Sequence, residues 1–121
     1  MKEPILDLSF LYELAKKDTV YIYEVICLFL KNVPGSLVNL EKLIRETNDF
    51  DSIQRQAHAL KSSAGIIRVR DMYDDLVKIE SLAREKSGKN EMIGILNNIL
   101  ANFKEALPLI TAERDKKMPK K

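Results

Sequence analysis

The chain has 121 residues, 45% of them hydrophobic and 31% charged, which suits one globular domain that can bury a core without metals or disulfides. Its net charge of +2 is gathered at one end: five basic and two acidic residues lie from Glu113 to Lys121, leaving 15 basic and 16 acidic residues in the body. A near-neutral body argues against a nucleic-acid binder, which needs a basic face on the domain itself, and a single cysteine, Cys27, excludes an internal disulfide and fits a reducing compartment.

The opening Met-Lys-Glu-Pro has no apolar signal core, and the longest apolar run, Val25 to Leu30, is too short to cross a bilayer. The expectation is a cytoplasmic protein that binds no membrane. Hairpin turn pairs and alternating strand patterns are absent, and the apolar spacing is helical nearly throughout. A short first helix is expected over Ser9 to Lys16, with Leu8, Leu11, Tyr12 and Leu14 or Ala15 turned inward. Asp18 or Thr19 caps a second helix that runs through Val25, Ile26, Phe29, Leu30 and Val33, then on through Leu37, Leu40, Leu43 and Ile44. Pro34-Gly35 interrupts it, but the apolar phase resumes, which favours one kinked helix. Asn48-Asp49 reads as a turn, with Asp51 or Ser52 capping a third helix from Ser52 to Val69. A fourth follows from Asp71 to Arg84, ended by Ser87-Gly88, and a fifth from Asn90 to Ile110. Short connections make successive helices antiparallel neighbours, so the expected fold is all-α: an up-and-down four-helix bundle with a short extra helix at the N-terminus. The domain is drawn over residues 1–112, and residues 113–121 read as a solvated, frayed basic tail.

The third helix carries Ile53, Ala57, Leu60, Ala64 and Ile67, a buried stripe at spacings of four and three. His58, the one histidine of the chain, lies roughly 140° from the centre of that stripe at about 100° per residue, so it faces away from the core. A lone surface histidine usually has no role, and the weight rests on its neighbours. Gln54, Arg55, Lys61 and Ser62 share its face or flank. A neutral imidazole offers a nitrogen nucleophile near neutral pH, and a lysine one turn away can offset the charge of a transferred phosphoryl group. Ser62 and Gly65 are small and leave room for a partner to approach. If the third and fourth helices turn near Arg68 to Arg70, residues about ten beyond the turn lie opposite His58. Glu80 falls there and can accept a hydrogen bond from Nδ1–H, leaving Nε2 as the nucleophile. Arg84, one turn on, adds positive charge.

The run Ala57-His58-Ala59-Leu60-Lys61-Ser62-Ser63-Ala64-Gly65 resembles the signature of histidine phosphotransfer (HPt) domains, His-x-Leu-Lys followed by small residues. The likeness extends to the Leu-Asp-Leu-Ser-Phe-Leu opening at Leu6 to Leu11, the long proline-containing second helix and the two closing helices. It implies that His58 is phosphorylated, that Lys61 is its charged neighbour and that Glu80 matches the acid or amide such domains often place beside the histidine. It also implies a carrier without catalytic machinery or cofactor of its own. Its partners would be receiver domains of response regulators and of a hybrid histidine kinase, which supply Mg²⁺ and the phosphorylated aspartate, and the carrier would act as a monomer. The chain departs from the pattern at two places: Ser62 stands where glycine is usual, and Arg68 where a small residue is usual, followed by Val69. Arg68 bears on which receiver docks more than on the chemistry.

Two other roles fit the same fold: the phosphorylatable domain of a chemotaxis-type histidine kinase, and an adaptor that binds receivers without being phosphorylated. An enzyme with its own site is poorly supported, because the sequence has no phosphate-binding glycine loop, no metal-ligand cluster and no Ser/His/Asp arrangement.

Overall fold

The structure, a computed structural model, describes residues 3–120. Among these, five helices and one two-stranded ladder follow in the order β1 (Leu6–Asp7), α1 (Ser9–Ala15), α2 (Thr19–Glu46), α3 (Phe50–Ile66), β2 (Arg68–Val69), α4 (Met72–Arg84) and α5 (Lys89–Lys117). The protein is an all-α bundle. Helices α2, α3, α4 and α5 each pack on the next, and α5 closes the ring against α2, with α1 laid on α2.

The apolar stripes read from the sequence account for this closure. On α2 the buried residues Ile22, Ile26, Phe29, Val33, Leu37, Leu40 and Ile44 recur at three and four, one face of a 3.6-residue period. By length and composition α2 could cross a membrane, but its fully buried residues form a single stripe that faces the other helices. It runs unbroken for 28 residues through Pro34, so the chain keeps one helix there. Its N-cap is Asp18, whose side chain accepts from the Tyr21 backbone N–H. α3 starts two residues earlier than expected: Asp49, not Asp51 or Ser52, is the cap, and its carboxylate accepts from Ser52 N–H.

Three other expectations are corrected. α3 stops at Ile66, and the chain enters β2, which pairs antiparallel with β1 through Leu6↔Val69 and Asp7↔Arg68. Ile67 and Val69 are buried and Arg68 exposed, a period of two that buries Val69 where a continued helix would have turned it outward. In α1 only Leu11 and Ala15 are buried; Tyr12 and Leu14 face outward, because a helix of 7 residues presents a single i, i+4 pair to α2. Finally, α5 does not end at Ile110. It continues to Lys117, past the expected domain limit at residue 112, with Glu113 paired to Lys116 and Lys117 and with Lys117 Nζ 5.4 Å from the Tyr12 ring centroid. Lys121, the last residue of the expected tail, lies outside the described residues. Cys27 is half-buried on α2, less enclosed than a core position.

One polar pair joins two helices at the edge of this core. Asp75 is buried and accepts a 2.7 Å hydrogen bond from Asn98 Nδ2, joining α4 to α5. Burial pushes the Asp75 carboxyl above the usual range, and the Asn98 bond only partly offsets this. A carboxyl whose folded pKa is raised contributes most stability below its unfolded pKa and loses that contribution as pH rises through the folded value. Asp75→Asn, which keeps an acceptor for Asn98, should therefore gain on the wild type as pH rises from about 4 to 7. Urea midpoints at several pH values check this; a gap that does not change with pH would contradict it.

Candidate functional site

His58 is placed by the α3 stripe. Ile53, Ala57, Leu60 and Ala64 face the core, which turns the intervening His58 outward with 70% of its side chain exposed. α4 meets this face with opposite direction: His58 touches Glu80, whereas Gly65, two turns further along α3, faces Tyr73 near the start of α4. The same register buries Ile79 and leaves the next residue, Glu80, at the seam between the two helices.

Glu80 holds three cations or cation precursors. His58 Nδ1 lies 2.7 Å from its Oε2, Lys61 Nζ 2.7 Å from its Oε1, and Arg84 Nη2 3.8 Å from Oε2. The carboxylate is only 7% exposed, so water does little to stabilise its charge and these partners must. The Lys61 hydrogen bond holds the Glu80 carboxyl below its usual range; the His58 bond adds to this, and burial works against it. An ionised carboxylate accepts only, so Nδ1 of a neutral His58 is the protonated nitrogen and Nε2 carries the free lone pair. The ring is thus anchored by its inner nitrogen on a helix face open to solvent.

From His58 a surface groove of about 980 Å³ runs toward the end of α3, lined by Lys61, Ser62, Gly65, Arg68, Phe10 and Tyr73 among others. Ser62 is exposed beside the imidazole, one turn along. Gly65 leaves real space: a Cβ there would find only the Tyr73 ring, at 3.8 Å, an ordinary contact. Arg68 donates from Nε to the Gly65 carbonyl at 2.9 Å and stacks over the Phe10 ring at 4.9 Å.

His58, Lys61, Glu80 and Arg84 are thus brought together, and Ser62 and Gly65 line the adjoining groove. Arg55 is not part of this set. It donates to Ser52 Oγ and lines a second, smaller hollow with Asn39 and Gln56 on the α2 side of α3. Gln54 is half-buried one turn before His58 and lines neither hollow. Phe10, Tyr73 and the β1 segment escaped the sequence reading as groove walls. Asp7-Leu8-Ser9 was the available signal, since Asp7 accepts from both the backbone N–H and the hydroxyl of Ser9 and so fixes how β1 enters α1.

The helical bundle thus holds one imidazole against a buried carboxylate with the rest of the ring exposed. The Hpt domain family model matches residues 24–108, and the chain belongs to that family. Membership makes histidine phosphotransfer in a phosphorelay its chemistry, two-component signalling its setting and receiver domains its general class of partner. Comparison with curated proteins gives no match, and neither does comparison with solved structures.

A carboxylate with a lowered folded pKa contributes stability above its unfolded value, about 4.3 for glutamate, and loses it as pH falls through the folded one. Glu80→Gln should remove that segment of the acid-unfolding curve. Glu80→Ala should also release the ring, so that ¹⁵N spectra of His58 move from the Nδ1–H tautomer toward a mixture of the two. An unchanged tautomer in Glu80→Ala would show that the carboxylate does not set it.

Proposed function

We propose that His58 is the phosphoacceptor of a phosphorelay carrier, receiving the phosphoryl group from a receiver aspartate of a hybrid histidine kinase and passing it to the aspartate of a response regulator. The observation that supports this most is the 2.7 Å contact between His58 Nδ1 and the buried Glu80, with the rest of the ring exposed. The Nε2 lone pair attacks the phosphorus of the aspartyl phosphate. A P–N bond forms, the P–O bond to the aspartate breaks, and the aspartate leaves as carboxylate. The proton stays on Nδ1, where Glu80 faces the positive charge that the ring acquires. The return step runs the same exchange backward onto a second aspartate. The acidic pocket and Mg²⁺ belong to the receiver, and this chain contributes nucleophile, tautomer and docking face.

Lys61 is held at 2.7 Å on the other oxygen of Glu80, which keeps an ammonium one turn from the imidazole. In this reading Lys61 counters phosphoryl charge, and Arg84, looser at 3.8 Å and largely exposed, adds to the field. Nucleophile and orienting carboxylate come from one chain, so a monomer suffices. The reading places the protein in the cytoplasm with its receivers.

Gly65 carries a second expectation. Glycine in a helix costs about 0.5–1 kcal/mol relative to alanine, and no internal contact here demands it. Its value lies in clearance for a docked receiver.

The direct experiment mixes the protein with a phosphorylated receiver and Mg²⁺. Label should move to the protein as an acid-labile, alkali-stable phosphoryl group, and His58→Gln should take none. ATP with a histidine kinase domain as an alternative donor separates a kinase fragment from a relay carrier, and absence of label from both donors would leave only an adaptor. Gly65→Ala should keep or raise the melting temperature while slowing transfer from the receiver about tenfold or more. Transfer at the wild-type rate would remove the clearance argument.

A further inference from the structure

Arg68 is where the groove of this chain departs most from the family pattern, and its surroundings are specific. Its Nε donates to the Gly65 carbonyl, and its guanidinium carbon lies over the Phe10 ring, 4.9 Å from the centroid. Those two contacts fix one edge and one face of the group. Among the described residues its two terminal nitrogens have no hydrogen-bond partner and no carboxylate within salt-bridge distance. The nearest acid along the ladder, Asp7, pairs in register with Arg68, but its carboxylate is taken by Ser9. The Ser9 bonds hold the Asp7 carboxyl below its usual range, with the field of Arg68 a smaller contribution. Arg70, the other arginine of the groove, is already engaged: Nε donates to the Glu3 carbonyl and Nη1 lies 3.6 Å from Glu105.

An exposed guanidinium held in this way, with both terminal nitrogens unpartnered, matches a carboxylate through two hydrogen bonds, and its contact with Phe10 removes rotamer freedom that docking would otherwise have to freeze. It is too far away for the chemistry. His58 and Gly65 are separated by about 10 Å along the helix at 1.5 Å per residue, so Arg68 reaches the groove end and not a phosphoryl group on His58.

We propose that Arg68 is a specificity-determining docking residue that selects receivers presenting an Asp or Glu side chain at the edge of the surface that covers His58. The proposal rests on the carrier reading above and adds the chemistry of the partner's edge. It also explains why a large charged residue is tolerated where the family keeps a small one: the side chain lies along Phe10 and is not thrown across the groove mouth.

The test uses a receiver that exchanges label with the wild-type protein. Arg68→Ala should raise KM for the phosphorylated receiver about tenfold, the range of one lost charge-assisted hydrogen bond, and leave kcat within about twofold. Arg68→Lys, which keeps charge but not the fork, should recover only part of the loss. Arg68→Glu should be worse than alanine, and replacing one acidic residue of the receiver's docking face by arginine should restore it. Direct phosphorylation of His58 by phosphoramidate should be the same in all variants. The proposal falls if Arg68→Ala leaves KM within twofold, if kcat falls in place of KM, if phosphoramidate labelling drops with it, or if no charge reversal rescues Arg68→Glu. Should the wild type exchange label with no receiver at all while phosphoramidate still labels it, the carrier reading itself fails, and the docking role with it.

Discussion

Burial of the Glu80 charge is the constraint around which the rest of the site is arranged. A carboxylate at the α3–α4 seam needs compensation, and three side chains provide it: His58 and Lys61 from α3, and Arg84 from one turn further on α4. Each consequence follows from that need. The imidazole is tethered through Nδ1, so its other nitrogen is the free one. The lysine is held close to the imidazole by the other oxygen of the carboxylate. The Lys61 and His58 hydrogen bonds hold the carboxyl below its usual range, which favours the ionised form that accepts from both.

The bundle supplies the stiffness this arrangement needs. Ile79 precedes Glu80 and is fully buried, and Ala57 precedes His58 and is equally buried, so neither functional residue can rotate away without dislodging its neighbour from the core. At the other end of α4, Asp75 and Asn98 fasten the helix to α5, and Asn102 donates to the Arg70 carbonyl. The β1–β2 ladder then holds the N-terminal segment beside the end of α3, so that one continuous groove leads from the imidazole to Arg68. A rigid α3–α4 pair with a partly polar groove beside it suits a protein whose reaction is completed by another protein's active site.

Much of this was legible in the sequence because the bundle follows one periodicity. The spacing of Ile53, Ala57, Leu60 and Ala64 fixes the outward direction of His58, and counting residues across the α3–α4 turn finds Glu80. What escaped lies where periodicity is a poor guide. Ile67 continues the helical stripe, but Val69, about 200° further round a helix, fits only an extended segment, and a spacing of two over three residues is too short a signal to mark β2. α1 is too short for its stripe to be told from its exposed face, which misplaced Tyr12 and left Leu14 and Ala15 as alternatives that the structure resolves to Ala15. Arg55 shares a helix turn with His58, yet it leans to the α2 side, a choice made by Ser52 and not by spacing. The i, i+3 pairing of Glu113 with Lys116 in a run of charges stabilised a helix end that composition alone made look frayed. Arg68 was visible as an anomaly, but its meaning required the Phe10 ring, which is distant in sequence.

The central claim is that a buried carboxylate chooses which nitrogen of His58 does the chemistry. The most direct measurement is the position of the phosphoryl group on the ring, read by ¹⁵N and ³¹P NMR of the protein labelled by a phosphorylated receiver. Phosphorus bonded to Nε2, with a proton retained on Nδ1 toward Glu80, is the predicted result. Phosphorus on Nδ1, or on any residue other than His58, would contradict it.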